Sequence, residues 1–470
     1  MVSQDHELPD DAYAKPKGID WLANRLLRTF YRKLEVVGAE KIPRDHPVVL
    51  VGNHVNGLLD PALLIGFLPV KPRFLAKSTL WNTVVRPFLN MAAAIPVYRR
   101  QDPGVDTEQN AETFRRCHEV LAAGGAIALF PEGTSHNEPA LVPLKTGVSR
   151  IVLQAEERFG TPGDPLGTRI VPVGLTFDDK GRFRSRVLIH VGDPIDPSPE
   201  VARFANEPRA AVRALTDRVR AALEDVTLNY DSWREAELIS RAAEIWARPE
   251  QGALRELPLE ESFNLRKVFA DGYEGLLERV PARVHAVAER VSDYDRQLAL
   301  YGLTDGQVAS RYPRSQVIGF VLESLALLLL RFPLGAFGTL MNFLPYQAVG
   351  RFASWKSPSP DVDATYKLLA SLVFFPLTWL AWSAAAFVAA RATVGDAWLW
   401  AVAFLLLGPF TGYFALRLHQ RRDLFWRQTR AFLRLRIGGR GVDEVRCLRR
   451  RVRKAVSELA DEWNGARGRS

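Results

Sequence analysis

Two long runs without any charged residue lie near the carboxyl-terminal end of the sequence. The first is 23 residues long and covers 368–390, and the second is 20 residues long and covers 397–416. A helix of about 20 apolar residues crosses the hydrocarbon core of a bilayer, whereas buried helices of soluble proteins rarely stay uncharged over such lengths. The pattern therefore predicts two transmembrane helices.

An apolar segment that precedes these runs, residues 317–349, is interrupted by charges and prolines. The interruptions are Glu323, Arg331, Pro333 and Pro345. Because basic residues also flank the segment on both sides, a re-entrant or interfacial pair of helices fits the pattern better than a single crossing. Together with the two predicted spans, the segment makes residues 313–418 a predicted membrane domain.

Arginines dominate the sequence after the second predicted span. Residues 417–436 contain seven of them, while the loop between the two spans is short and almost neutral. Since positively charged flanks stay on the cytosolic side, we expect residues 419–470 to form a basic cytosolic tail. The opening residues, MVSQDHELPDD, lack the pattern of a signal peptide, so we expect the amino-terminal part on the cytosolic face as well.

The formal net charge of +9 favours an anionic partner, either a phospholipid membrane or a nucleic acid. The uncharged runs favour the membrane. No zinc finger, aromatic RNA motif or reading helix is recognisable in the sequence. We therefore expect an integral membrane protein that contacts phospholipid and no nucleic acid.

Residues 1–33 are interpreted as a polar tail followed by an amphipathic helix. In the stretch WLANRLLRTFYRKL, Trp21, Leu22, Leu26 and Phe30 are predicted to share one helical face, and basic residues occupy the rest. Such a helix can lie on an anionic membrane surface or pack on the domain that follows it, and the two interpretations are compatible.

Residues 34–197 alternate short β-rich runs with helical patterns, which predicts an α/β domain. The clearest strands are PVVLVGN, AIALF, RIVPVGLTF and RVLIHVG, and TFRRCHEVLAAGG is typical of a helix closed by Gly124 and Gly125. Residues 198–312 show helical periodicity with mixed charges and few β signals, so we expect a helical region there.

The stretch VGNHVNGLLDP places an aspartate, Asp60, six positions after His54. An ideal helix rotates residues six apart by about 240°, so the two side chains cannot share a helical face. A strand end, a turn through Asn56 and Gly57, and a helix that starts at Asp60 would bring them together. Asp60 also fits a purely structural role as a helix N-cap before Pro61.

Three further motifs follow within the predicted α/β domain. They are AAIPVYRRQ, LFPEGTSHNEPALVPLKTG and RIVPVGL, and the candidate residues that they supply are Arg99, Glu132, Gly133, Thr134, Lys145 and Pro172. In order and approximate spacing, the four motifs resemble those of the glycerolipid acyltransferase family, the membrane enzymes that acylate glycerol 3-phosphate or lysophosphatidate. The resemblance covers about residues 34–195.

This resemblance implies a mixed sheet flanked by helices, followed by the helical region and the transmembrane helices. It also implies that Glu132 and Gly133, with Thr134 beside them, help to hold the glycerol phosphate. Glycine permits a close approach of the backbone, and glutamate accepts hydroxyl protons. Pro172, by the same resemblance, shapes the acyl side of the cleft.

Two departures from the commonest family pattern are visible. Five residues separate His54 from Asp60, where the usual number is four, and this spacing resembles a branch that includes fungal enzymes acting on glycerol 3-phosphate and dihydroxyacetone phosphate. Ser135 stands where many members have an arginine. We expect Lys145 or Arg100 to supply the phosphate contact that this arginine would make.

Acylation of a hydroxyl requires a group that removes its proton while the oxygen attacks the thioester carbonyl, and a neutral imidazole suits this task near pH 7. We assign His54 as this base and Asp60 as the group that holds its tautomer, as aspartate does in serine protease triads. Arg99 is the candidate for the phosphate, because a planar guanidinium donates two parallel hydrogen bonds. The lack of a GxSxG motif favours direct transfer without an acyl-enzyme.

The sequence thus predicts a membrane-bound O-acyltransferase acting on glycerol 3-phosphate, with lysophosphatidate as the alternative acceptor. Acyl-CoA is the expected co-substrate and acyl carrier protein the alternative donor, and the mechanism requires no metal or other cofactor. Cys117 and Cys447 are too far apart in the sequence to form a clustered metal site. The alternative from another class is a non-catalytic lipid-binding membrane protein that keeps the fold.

Overall fold

A seven-stranded mixed sheet organises the amino-terminal half of the chain. Its strands are β1 (Lys33–Val37), β2 (Val48–Gly52), β3 (Arg73–Lys77), β4 (Ile95–Val97), β5 (Ala126–Leu129), β6 (Arg169–Phe177) and β7 (Arg186–Val191). They lie in the order β1-β7-β6-β2-β5-β3-β4. All neighbouring strands are parallel except β6 and β7, which are antiparallel. The predicted α/β class with a mixed sheet is confirmed.

The computed structural model describes most of the chain. The described residues are 18–83, 85–99, 108, 110–161, 163–248, 257–310, 314–357, 359–393, 396–437 and 439–467. The predicted tail before residue 18 lies outside them. The described residues form two compact units, and the first contains the residues up to Ser232 together with Leu259–Phe263 and Ser359–Thr365.

Seven helices accompany the sheet in the first unit: α1 (Ile19–Phe30), α2 (Leu59–Phe67), α3 (Arg86–Met91), α4 (Asn110–Ala122), α5 (Gly147–Phe159), α6 (Ser198–Phe204) and α7 (Pro208–Val226). All five residues of β2 are buried, as expected of a parallel strand covered on both faces. Strands β2, β5 and β6 share one apolar core with α4, α5 and α7. Residues 198–232 therefore belong to the α/β unit, so the boundary predicted at residue 197 lies too early.

Helix α1 packs on α2 within the first unit. Asn24 Nδ2 donates a hydrogen bond to the Gly66 carbonyl at 2.9 Å. The buried positions of α1 are Ile19, Ala23, Leu27 and Phe30, whereas Trp21 is 64% exposed. Of the four residues predicted to form the apolar face, Phe30 is buried, Leu22 and Leu26 are partly buried and Trp21 is exposed, because the packed face is centred on Ile19, Ala23 and Leu27.

The second unit is helical among the residues that the structure describes. Its helices outside the apolar segments are α8 (Trp233–Ala247), α9 (Leu259–Arg279, of which the first five residues belong to the first unit), α10 (Pro281–Tyr301), α11 (Asp305–Ala309) and α15 (Gly439–Arg467). Their core includes Tyr294, Leu298, Val445 and Val452. Since α15 contributes to this core, residues 439–467 of the predicted basic tail form a packed helix.

Three long apolar helices complete the chain: α12 (Arg314–Lys356), α13 (Pro360–Arg391) and α14 (Ala397–Ile437). By length and composition, each is sufficient to cross a membrane. Helices α13 and α14 contain the two predicted spans. Residues 317–349 form part of one continuous helix that accommodates Pro333 and Pro345, so the predicted helical pair was wrong.

Candidate active site

The predicted site residues follow the carboxyl ends of three parallel strands. His54 lies two residues after β2, Arg99 two residues after β4, and Glu132 three residues after β5. These strands point in the same direction within the sheet, so their carboxyl ends lie along one edge. Ligand sites of α/β sheets form at this edge, outside the carboxyl ends of the strands. The sheet thus brings the first three motifs together.

His54 and Asp60 form the predicted pair. His54 Nδ1 lies 2.9 Å from Asp60 Oδ2, and the Asp60 side chain is fully buried. The same carboxylate oxygen accepts hydrogen bonds from the backbone N–H groups of Val55 at 2.8 Å and Asn56 at 2.7 Å. Gly57 has a φ of 47° and makes the predicted turn. The five-residue loop is therefore folded around one oxygen atom.

The helix that carries Asp60 starts earlier than the sequence suggested. Helix α2 begins at Leu59, its N-cap is Leu58, and no side chain caps it. The N-cap role predicted for Asp60 was therefore wrong. Its carboxylate instead turns back to bind the loop that precedes the helix.

The tautomer of His54 follows from its partner. Because an ionised carboxylate can only accept hydrogen bonds, Nδ1 donates to Asp60, and Nε2 is the nitrogen that remains for another partner. The side chain is 19% exposed. Its ring stacks on Phe130, with the ring centroids 4.2 Å apart. The imidazole is thus fixed on one face and at Nδ1, which leaves Nε2 as the atom that could act as a general base.

Glu132 holds the backbone of the first motif. Its Oε1 accepts a hydrogen bond from the His54 backbone N–H at 2.7 Å, and its Oε2 accepts one from Val142 N–H at 3.1 Å. His136 Nε2 contacts the same Oε2, and the His136 backbone N–H donates to the His54 carbonyl at 3.1 Å. The Glu132 side chain is fully buried. Its contacts are therefore with the protein, and they differ from the predicted contact with a substrate hydroxyl.

Arg99 and Lys145 meet at Gly133. Arg99 Nη1 donates to the Gly133 carbonyl at 2.8 Å. Gly133 has a φ of 76°, and a Cβ atom there would lie 3.4 Å from Lys145 Cγ. Two cationic side chains thus flank the turn of the third motif, where the sequence predicted the substrate phosphate. Thr134, the next residue, is exposed.

The remaining predicted contacts lie apart from this turn. Pro172 is buried within β6, beside Val51 of β2, and a Cβ atom at Gly192 would lie 2.9 Å from its Cγ. Its described contacts are within the sheet. Arg100, the alternative phosphate ligand, lies outside the described residues. Ser135 Oγ donates a hydrogen bond to Asp361 Oδ2 at 2.5 Å, so its hydroxyl is engaged by the protein.

Lys180 is a residue near the site that the sequence did not indicate. Its Nζ donates hydrogen bonds to the carbonyl oxygens of Val55 at 3.0 Å and His136 at 3.1 Å. Burial lowers the pKa of Lys180, and the charges of Asp361 and Asp60 partly offset this effect. The ammonium group thus joins the loops of the first and third motifs. Lys180 lies three residues after β6, and no sequence pattern marked it.

Asn56 extends the same set of contacts to α1. Its side-chain amide donates to the Lys180 carbonyl at 3.1 Å and lies 3.3 Å from the Tyr31 hydroxyl. Burial, and then the charge of Asp60, raises the pKa of Tyr31 well above its usual range, so the phenol stays neutral. Within the described part of the chain, no group of three or more His, Cys, Asp or Glu side chains is arranged to hold a metal ion.

Comparison with known protein families matches two successive regions of the chain. Residues 33–176 match the acyltransferase family, and residues 247–465 match the glycerol-3-phosphate acyltransferase 2 C-terminal domain. The chain thus contains an acyltransferase domain followed by a region similar to the C-terminal domain of glycerol-3-phosphate acyltransferase 2. The first match contains His54, Asp60, Arg99, Glu132 and Pro172. The second extends over the helical region and the three apolar helices.

Two relatives from Saccharomyces cerevisiae extend across most of the chain. Glycerol-3-phosphate O-acyltransferase 2 is 25% identical over 379 residues, which are 75% of this chain and 50% of that protein. Glycerol-3-phosphate O-acyltransferase 1 is 26% identical over 465 residues, which are 77% of this chain and 60% of that protein. The chain therefore spans between half and three fifths of the length of these relatives.

A shorter match is with an enzyme named for another acceptor. The 1-acyl-sn-glycerol-3-phosphate acyltransferase of Borreliella burgdorferi is 27% identical over 164 residues, which are 34% of this chain and 57% of that protein. The chain is thus similar to enzymes named for two different acceptors.

Proposed function

We propose that this chain transfers a fatty acyl group from an acyl thioester to glycerol 3-phosphate at a phospholipid membrane. The observation that carries the proposal is the pair of His54 and fully buried Asp60, 2.9 Å apart at the carboxyl edge of the sheet. This pair is a general base with an orienting carboxylate, which is what hydroxyl acylation requires.

In the proposed reaction, His54 Nε2 removes the proton from a glycerol hydroxyl as the oxygen attacks the thioester carbonyl carbon. The new C–O bond forms, the C–S bond breaks, and the departing thiolate receives the proton from the imidazolium. Asp60 stabilises the imidazolium while it exists, because its Oδ2 lies against Nδ1–H. No protein group becomes acylated, so one base serves both proton transfers.

The acceptor is proposed to bind with its phosphate beside Arg99 and Lys145. Both cations flank Gly133, and a guanidinium or ammonium beside an open backbone turn suits a phosphate group. Glycerol 3-phosphate is favoured over lysophosphatidate by the five-residue spacing of the first motif and by the names of the two yeast relatives. Lysophosphatidate is the second candidate, since the Borreliella burgdorferi relative is named for it.

The donor is proposed to be acyl-CoA, with acyl carrier protein as the alternative. The site is proposed to face the cytosol, where acyl-CoA is available. Arginine-rich residues after the second predicted span support this orientation. The three apolar helices support a permanent attachment to the membrane that holds the product.

The test is thioester consumption by the full chain in detergent or lipid nanodiscs, with palmitoyl-CoA and either glycerol 3-phosphate or lysophosphatidate. We expect turnover with glycerol 3-phosphate and a loss of about 10²- to 10⁴-fold or more in His54→Ala, because the general base is removed. His285→Ala, a change on helix α10 in the second unit, is the matched control and should retain wild-type turnover.

The outcomes separate the candidates. Turnover with lysophosphatidate alone would change the proposed acceptor and leave the proposed acyl transfer unchanged. Turnover that survives in His54→Ala would overturn the assignment of the base. Binding of lipid without consumption of palmitoyl-CoA in the presence of either acceptor would support the non-catalytic alternative.

A further inference from the structure

The first two turns of the apolar helix α13 lie against the catalytic loop. Residues Ser359–Thr365 belong to the same compact unit as the sheet, although nearly 300 residues separate them from the first motif. Thr365 Oγ1 accepts a hydrogen bond from the Leu58 backbone N–H at 3.0 Å. A Cβ atom at Gly57 would lie 2.8 Å from the same Oγ1, so the loop and the helix are in close contact.

A second contact joins these helical turns to the third motif. Asp361 Oδ2 accepts the hydrogen bond from Ser135 Oγ. Burial by itself raises the pKa of Asp361, but hydrogen bonds from Ser135 and Ser359 and the charge of Lys180 outweigh it and hold the pKa below its usual value. Asp361 is therefore an ionised, largely buried acceptor that binds the residue found where many family members have arginine.

We propose that Thr365 and Asp361 are positioning residues for acyl transfer, and that the first two turns of α13 set the geometry of His54 and Asp60. The proposal rests on the proposed function and extends it to residues outside all four motifs. Thr365 acts through the loop that contains Leu58, and Asp361 acts through the turn that contains Ser135.

The position of Leu58 explains why its contact matters for catalysis. Leu58 is the N-cap of α2, so its N–H group lies outside the helical ladder and needs a partner elsewhere. Thr365 supplies that partner. The first turn of α2, directly after Leu58, carries Asp60, whose Oδ2 contacts the imidazole. A loop released from Thr365 would let Asp60 move relative to His54, and a misplacement of about 1 Å can cost about 100-fold in rate.

The same helix continues as an apolar segment. Residues Asp363–Arg391 are long and apolar enough to cross a membrane. The element that holds the catalytic loop is therefore the beginning of a candidate membrane span. The orientation of His54 therefore depends on a helix that lies outside residues 33–176, the range that matches the acyltransferase family.

The experiment compares two substitutions at Thr365 in the full chain. Thr365→Val keeps the shape and removes the hydroxyl, whereas Thr365→Ser keeps the hydroxyl and removes the methyl group. We expect Thr365→Val to lower kcat about 10-fold or more with little change in the KM for glycerol 3-phosphate, because Arg99 and Lys145 are untouched. We expect Thr365→Ser to retain most of the wild-type kcat.

Thr378→Val is the matched control, since it makes the same change 13 residues further along α13, where Oγ1 donates to the Phe374 carbonyl of the same helix. It should leave kcat unchanged. A role limited to packing predicts the opposite order, with Thr365→Val neutral and Thr365→Ser impaired, and this result would overturn the proposal. So would equal losses in Thr365→Val and Thr378→Val.

Ser135→Ala tests the second contact independently and covers the case in which Thr365→Val fails to fold. It should lower kcat with the melting temperature little changed, and a wild-type kcat in Ser135→Ala would remove Asp361 from the proposal. The wild-type enzyme and His54→Ala are assayed beside these variants. Absence of wild-type turnover with every acceptor would defeat the proposed function itself, whereas an active wild type with an active Thr365→Val variant would defeat only the positioning role.

Discussion

The imidazole of His54 lies flat on the ring of Phe130, with the ring planes 12° apart. Phe130 directly follows β5 and precedes the turn of the third motif. The third motif therefore supports His54 in two ways, through the Phe130 ring and through the Glu132 carboxylate on the His54 backbone. A motif that the sequence linked to the substrate thus also supports the side chain and the backbone of His54.

Removal of the Phe130 ring should slow the reaction. We predict that Phe130→Ala lowers kcat about 10- to 100-fold, because a loosened imidazole is aimed at the acceptor hydroxyl less often. Phe130→Tyr keeps the flat ring and is the control, with kcat close to that of the wild type. Steady-state kinetics of thioester consumption measures both variants, and equal losses in the two would show that the stacked ring is not what matters.

Asp60→Asn should abolish most of the activity without unfolding the chain. A neutral amide is a weaker acceptor than the carboxylate for these three N–H groups, and if its NH2 group faces His54 it donates to Nδ1, so the imidazole is expected to adopt the other tautomer. By analogy with serine protease triads, we predict a loss in kcat of about 10⁴-fold. Asp193→Asn, in an exposed ion pair with Lys41, is the control. Turnover above a tenth of the wild-type value would refute the orienting role.

Arg99→Ala should act mainly on acceptor binding. Hydrogen bonds to charged groups contribute about 1.5–3 kcal/mol, so we predict an increase in the KM for glycerol 3-phosphate of about 10- to 100-fold. The KM for palmitoyl-CoA should be almost unchanged. Arg86→Ala, an exposed change at the start of α3, is the control. A fall in kcat with an unchanged acceptor KM would instead assign Arg99 to holding the Gly133 carbonyl.

Glu132→Gln should lower stability as well as activity. The carboxylate accepts hydrogen bonds from His54 N–H, Val142 N–H and the His136 ring. A glutamine side chain would place its NH2 group against at least one of these donors, and that hydrogen bond would be lost. Leaving a buried polar group unpaired costs about 1–3 kcal/mol, so the melting temperature of the purified protein should fall. Glu138→Gln, on an exposed side chain of the same segment, should leave the melting temperature unchanged.

The second unit contains a buried ion pair whose disruption should destabilise it. Arg449 Nε donates to Asp305 Oδ1 at 2.8 Å, and both side chains are almost completely buried. We predict that Arg449→Met costs about 3–5 kcal/mol, because the carboxylate remains buried without its partner. Hydrogen–deuterium exchange of α11 and α15 should increase strongly in this variant. The control Arg446→Met, in a more exposed pair with Asp443, should show wild-type exchange.

The sequence predicted those strands whose burial leaves a clear pattern. Strands β2 and β6 are almost continuous apolar runs, and they were located from the sequence to within a residue or two. Strands β1 and β3 were missed. None of the five residues of β1 is fully buried, and only Phe74 is buried in β3, so neither strand shows the apolar run or the alternation that identifies a strand.

The sequence also predicted the residues of the site without the distant residues that hold them in place, because those residues leave no pattern in the sequence. His54 and Asp60 are six positions apart, and a turn residue between them made their pairing predictable. Thr365 is 307 positions from Leu58, and Asp361 is 226 positions from Ser135. A contact across such a separation leaves no periodicity in the sequence, and a threonine or aspartate near the start of a helix already has a local explanation.

Because Leu259–Phe263 and Ser359–Thr365 return to the first unit, the catalytic half of this chain is not a continuous stretch of sequence. A fragment that ends at Ser232 would contain all four motifs and would lack the hydroxyl of Thr365 and the carboxylate of Asp361. It would also lose the segment at Leu259, whose backbone N–H donates to Glu35 beside the sheet edge. A recombination event that moved residues 1–232 alone would therefore leave part of the first unit behind, including the beginning of the apolar helix α13.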